Sequence, residues 1–132
     1  MMPIRGMLRF ADASDGYDES EFVVLGIPFD RTTTFRSGAR FAPTTIREAS
    51  SNFEKTMFEH DFTFDDVKFH DAGDLYEEGT VDDMVASIEE EARKMISSDK
   101  FLISVGGEHS VSPPIVRAHG REMSVITIDA HL

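Results

Sequence analysis

The chain has 132 residues, 40% of them hydrophobic and 29% charged, a folded-domain composition large enough for one sizeable core. Its 13 basic and 25 acidic residues leave a net charge of −12, which opposes nonspecific association with nucleic acid or anionic membranes. The absence of cysteine excludes disulfides, thiolate nucleophiles, iron–sulfur clusters and cysteine-bound zinc, so any metal must rest on His, Asp or Glu.

Residues 1–20 mix glycine, serine, aspartate and scattered apolar positions without a sustained period, the pattern of an irregular arm able to dock against a larger body. Arg5 and Arg9 lead into Asp12, Asp15 and Asp18 rather than an apolar stretch, so no secretory signal is read and a cytoplasmic location is expected. Phe22, Val23, Val24, Leu25 and Ile27 form an apolar run ended by Pro28, as in a strand covered on both faces. The nearly apolar segment Phe22 to Phe29 is far short of the roughly 20 residues that cross a bilayer as a helix, and no membrane span is expected.

From Arg31 to Ala42 the chain is polar, rich in Thr, Arg and Gly, and reads as a long loop without a Walker-type phosphate motif. Pro43 suits the first turn of a helix expected to bury Ile46, Ala49 and Phe53. Met57 to Phe64 alternates aromatic residues with acids and fits a turn, a short strand or a helix end equally. Val67, Phe69 and Ala72 indicate a short edge strand entering a turn at Gly73-Asp74.

A helix from Val81 to about Ser97 is the clearest element, with Val81, Met84, Val85, Ile88, Ala92, Met95 and Ile96 on one face. Thr80 caps it, Asp82 and Asp83 suit its positive end, and Glu89–Arg93 and Glu90–Lys94 are spaced to pair. Phe101, Leu102, Ile103 and Val105 read as a second buried strand with Gly106-Gly107 as its tight exit. Ser112-Pro113 opens a further helix that ends near Gly120, and Val125, Ile126 and Ile128 repeat the strand signal. This alternation of strands and helices predicts an α/β fold with a mainly parallel sheet between two helical layers.

In such folds ligands gather beyond the carboxyl ends of strands, where Gly106-Gly107-Glu108-His109-Ser110 and Asp129-Ala130-His131 both fall. Asp129 and His131 leave the same face of extended backbone, and tertiary folding would bring His109 to join them. Two imidazoles and a carboxylate suit zinc, manganese, iron, cobalt or nickel. The same residues also fit ordinary loop hydrogen bonding, or an acid–base pair in which Asp129 orients His131. A Ser110 nucleophile lacks the GxSxG elbow. His60, His70 and His119 read as surface or local electrostatic residues, and Arg36 and Arg40 stand in the polar loop, able to shape a pocket or a subunit contact but with no role assigned.

From about Phe22 to Leu132 the chain resembles the arginase/agmatinase family, the ureohydrolases, and within it the N-terminal part of the agmatinases. Four ordered patches carry the resemblance: Leu25-Gly26-Ile27-Pro28-Phe29-Asp30, Gly38-Ala39-Arg40-Phe41-Ala42-Pro43 with Ile46-Arg47-Glu48, Gly106 to Ser110, and Asp129-Ala130-His131. The resemblance implies a three-layer α/β/α domain, here residues 21–132 as its N-terminal portion behind a 1–20 arm. It implies two Mn2+ ions, with His109 a ligand of one, His131 of the other, Asp129 bridging both, and Glu108 supporting rather than coordinating. The implied reaction is hydrolysis of a guanidino group to urea and an amine by a hydroxide activated between the ions. Its substrate would be agmatine or another cationic guanidino compound, polyamine biosynthesis its setting, and its assembly a homo-oligomer.

The family's second motif runs on to a further aspartate, whereas this sequence stops at Leu132. Later paired aspartates, a proton-transferring histidine and the substrate-selecting loops of the family have no counterpart here. In the family fold the third and fourth strands are not neighbours, so part of the scaffold that spaces His109 from Asp129 would also be missing. Little or no independent hydrolysis is therefore expected, and no catalytic residue is assigned. An arginase, a guanidinobutyrase or a related ureohydrolase is the alternative enzyme, and a noncatalytic metal-binding or structural remnant the alternative outside catalysis.

Overall fold

The computed structural model describes residues 8–76 and 78–131. In chain order its elements are β1 (Phe22–Ile27), α1 (Ala42–Ser50), β2 (Thr56–Met57), β3 (Phe62–Thr63), β4 (Phe69–Asp74), α2 (Val81–Ser97), β5 (Phe101–Gly106) and α3 (Ser112–Ala118). The apolar run at β1 becomes the middle strand of a parallel sheet ordered β4-β1-β5. Alternation along β1 sends Val23, Leu25 and Ile27 into a core with Met84, Ile88 and Met95 of α2, while Val24 faces Ala13 and Phe69 on the other side. With α2 and α3 on one face and α1 with the arm on the other, the architecture is the expected three-layer α/β/α arrangement.

Gly26 is what lets α1 lie close to β1. A Cβ there would fall 1.8 Å from Asp74 Oδ1 and 3.0 Å from Pro43 Cβ. The buried face of α1 differs from expectation: Pro43, Arg47 and Ser50 point inward, whereas Ile46 and Phe53 are 40% and 37% exposed and Ala49 is also exposed. The reason is electrostatic. Arg47 Nε and Nη2 donate to the two oxygens of Asp71 at 2.7 and 2.9 Å, and its Nη1 donates to Asp74, so ion pairing rather than apolar spacing sets the rotation of this helix.

The undecided segment at 57–64 contains an antiparallel hairpin, with Thr56 opposite Thr63 and Met57 opposite Phe62. A short turn at Phe64–Asp66 takes the amide of Val67, so β4 begins later than its apolar residues suggest. It also continues through Gly73 and Asp74, which were expected in a turn. Its edge position matches expectation.

The arm docks, as its composition allows. Phe69 donates its amide to Asp15 at 3.0 Å, Phe10 donates to Asp71 at 2.6 Å, and Ala11 donates to Ser50 at 2.9 Å. Helix α2 has the cap and pairs read from the sequence: the Asp83 amide donates to Thr80 Oγ1, the Thr80 amide donates back to Asp83, and Arg93 and Lys94 reach Glu89 and Glu90. Its buried residues are Met84, Ile88, Ala92 and Met95, with Val81 left 37% exposed.

Two strand expectations fail for one physical reason. Strand β5 is not buried: Phe101 is 64% and Ile103 37% exposed, because no further strand adjoins it among the described residues. Val125, Ile126 and Ile128 form no strand and are 59%, 90% and 98% exposed. A lone apolar segment gains nothing from extended geometry without a ladder to satisfy its amides and carbonyls. Among the described residues no helix is long and apolar enough to cross a membrane.

Candidate metal centre

The sheet changes its winding direction between β1 and β5, since the chain steps from β1 outward to β4 and then crosses to the opposite side. The crevice at such a switch, beyond the carboxyl ends of the strands, is where α/β folds seat ligands. Here it is closed at its base by backbone contact. Glu108 donates its amide to the Phe29 carbonyl at 2.9 Å, and a Cβ on Gly107 would lie 1.9 Å from that same oxygen. Glycine at 107 is thus required by the approach of one strand exit to the other.

The 31–41 loop is built around Asp30, which is 2% exposed. Its Oδ2 accepts the Gly38 and Arg40 amides at 2.6 and 3.2 Å, and its Oδ1 pairs with the Arg40 guanidinium at 2.5 Å. The Arg40 interaction, followed by the Gly38 amide, holds the Asp30 carboxyl below its ordinary value. Arg40 therefore shapes the loop. Arg36 instead lies with its guanidinium carbon 5.1 Å from the Phe35 ring centroid, in the wall of a cleft of about 500 Å³ that also includes Thr32, Glu108 and His109.

His109 opens the short turn that follows β5, and the irregular segment after α3 brings Asp129 and His131 beside it. One potential ligand atom from each of the three lies within 4.8 Å of the others. His131 Nδ1 is 2.8 Å from Asp129 Oδ1, His109 Nδ1 is 3.4 Å from Asp129 Oδ2, and the two imidazole rings meet edge to face with centroids 5.2 Å apart. Asp129 also accepts the His131 amide at 3.2 Å. The Asp129–His131 pair thus forms through a local turn rather than through the extended strand expected for it. These hydrogen bonds from His131 hold the Asp129 carboxyl below its ordinary value and ready to face a cation.

As donors, two imidazoles and one carboxylate suit a single borderline divalent ion. In the tautomer whose Nδ1–H donates to Asp129, His131 keeps a lone pair on Nε2 that can face an ion. Glu108 is engaged elsewhere: its carboxylate accepts from the Thr32 amide at 2.9 Å and from the hydroxyls of Thr32 and Ser110. Burial pushes this carboxyl up, but the Ser110 and Thr32 hydrogen bonds outweigh it and leave it below its ordinary value.

The other histidines stay apart from the cluster. His60 ends a short turn beside the hairpin, His70 Nδ1 lies 2.8 Å from the Asp15 carbonyl, and His119 caps α3. Asp30 and Thr32 were not singled out from sequence as organisers of the site. Their signal is positional: both follow directly on a buried strand, where polar side chains have few roles other than holding the exit loop.

The model of the arginase family matches residues 20–132. The agmatinase of Bacillus cereus is 36% identical over 126 residues, covering 92% of this chain and 43% of its own length. That of Photorhabdus laumondii is 34% identical over 134 aligned positions, covering 96% and 44% respectively. The chain thus spans less than half the length of these relatives. Among solved structures, the agmatine ureohydrolase of Thermoplasma volcanium superposes with a TM-score of 0.80 at 36% identity, covering 87% of this chain and 39% of that one. The formiminoglutamase of Trypanosoma cruzi with Mn2+2 has a TM-score of 0.74 at 21% identity, covering 89% and 40%, and shares the fold alone. The parallel sheet, the switch-point crevice and a family match that takes in both Gly106 to Ser110 and Asp129 to His131 lead to one assignment: the chain belongs to the arginase family.

Proposed function

We propose that residues 21–132 are the N-terminal portion of a ureohydrolase catalytic domain of agmatinase type, carrying part of a two-Mn2+ centre and hydrolysing a guanidino group to urea and an amine. The observation that carries this reading is the convergence of His109, Asp129 and His131 at the carboxyl rim of the sheet. Its finer substrate assignment is supported by the agmatinases at 34–36% identity.

Divalent ions at this rim would supply Lewis acidity and lower the pKa of water, which a resonance-stabilised guanidinium requires of its attacker. His109 and His131 would each hold one ion and Asp129 would span the two. The Asp129 carboxylate keeps the His131 ring oriented, and Thr32 to Arg36 form one side of the cleft. The three donors among the described residues are too few for two ions, so the 132-residue chain alone should bind Mn2+ weakly and release little or no urea.

A second reading has its own observation. Arg36 in the cleft wall favours a guanidino compound with a carboxylate tail, such as arginine or guanidinobutyrate, over dicationic agmatine.

The test titrates the chain with Mn2+ and then measures urea from agmatine, arginine and guanidinobutyrate after mixing it with the C-terminal segment of the Bacillus cereus agmatinase. His109→Ala should weaken Mn2+ binding by about tenfold or more. Urea from agmatine supports the favoured substrate, and urea from the carboxylates alone replaces it. Equal Mn2+ binding by the wild type and the His109→Ala variant overturns the metal assignment.

A further inference from the structure

A glutamate next to a candidate metal ligand would ordinarily be read as another ligand, yet the geometry of Glu108 directs it elsewhere. Its Oε2 accepts the Thr32 amide at 2.9 Å, and its Oε1 takes the hydroxyls of Thr32 and Ser110. Its own amide is bound to Phe29, and Gly107 permits no slack against that strand exit. The residue is therefore held through both main chain and side chain. Its carboxylate spans two segments: the turn that carries His109, and the Thr32–Arg36 wall of the cleft.

The geometry points to Glu108 as a positioning residue that couples metal occupancy at His109 to order in the Thr32–Arg36 wall. This rests on the metal assignment above. The physical argument is linkage. His109 is 74% exposed and its ring rests only on Asp129 and His131, so the main-chain turn that Glu108 anchors is what sets the position of its Cα and Cβ. An ion that fixes His109 narrows the motion of that turn, and the carboxylate passes the restriction to Thr32. By reciprocity, a wall held in place by a substrate makes the ion bind more tightly. The cleft is thereby firmest when the ion is present.

The experiment is amide hydrogen exchange on the 132-residue chain, with and without Mn2+, alongside Mn2+ titration, for the wild type, Glu108→Gln and Thr32→Ala. In the wild type Mn2+ should slow exchange of the Thr32 amide several-fold. In Glu108→Gln that metal-dependent slowing should vanish and Mn2+ affinity should fall about tenfold. Thr32→Ala keeps the amide bond and loses one hydroxyl, so it should fall between the two, and it carries the test if Glu108→Gln does not fold. A merely structural brace would speed exchange equally in both metal states and leave affinity alone, which overturns the coupling. Wild-type chain that binds no Mn2+ overturns the metal reading and the coupling with it. Exchange at Thr32 that still rises in metal-free Glu108→Gln then shows that the hydrogen-bonded brace exists without that role.

Discussion

Arg47 ties α1 to β4 through a buried ion pair with Asp71 and Asp74. It is 3% exposed, yet its guanidinium is raised above its ordinary value and Asp71 is lowered. For both groups burial opposes the charged form, and the mutual hydrogen bonds outweigh it. Arg47→Met would leave Asp71 buried without its cation, at a cost of about 3–5 kcal/mol at neutral pH, measured by urea unfolding. Arg47→Lys should recover less than half of that, because an ammonium cannot reproduce the forked contact. The pH dependence follows from the depressed Asp71 value. Its contribution is complete above the ordinary 3.8 and is lost as pH falls through the lower folded value, so the gap between wild type and Arg47→Met should close on acidification. A gap that stays constant with pH would show that the pair is not the source of that stability. None of this was legible in the sequence, because a charged residue in a helix reads as solvated until its partners, 24 and 27 positions away, are known.

At the scale of elements, the segments whose signals are local were legible and those defined by a partner were not. Helix α2 carries its own start, face and pairs, so its limits were readable from Thr80, Met84, Ile88 and Met95. Thr80→Ala should lower stability by about 1 kcal/mol while Thr80→Ser leaves it nearly unchanged, as read by thermal unfolding; equal loss in both would separate the effect from the cap. Strand β1 was equally plain, since five apolar residues fit one buried position. By contrast α1 has its buried face chosen by Asp71 and Asp74, and β4 starts where the Phe64–Asp66 turn releases the chain. Val125 to Ile128 has a strand composition without a strand, because residue preference cannot replace a neighbouring ladder. Of the candidate site, the proximity of His109, Asp129 and His131 was anticipated and the way it arises was not: the three do meet, but a hydrogen-bonded turn rather than strand geometry joins the last two.

Taken whole, the molecule presents unequal sheet margins. β5 offers Phe101 and Ile103 to solvent, and Ile126 and Ile128 are more exposed still. Bare strand edges with apolar side chains pair with other chains. Sedimentation of the 132-residue chain should therefore show association that rises with concentration, and Ile103→Lys should suppress it. A strictly monomeric wild type over a wide concentration range would contradict this expectation. The net charge of −12 works against such self-association, so added salt should strengthen it.

The opposite margin is already spent. On β4 the amides of Phe69 and Gly73 are taken by the carboxylates of Asp15 and Asp71, and the arm lies across them. An additional strand therefore finds the more open ladder at the β5 flank, the flank whose exit turn presents His109. Growth of the sheet and supply of new oxygen donors to an ion are thus bound to the same border, so a partner that completes one is placed to complete the other.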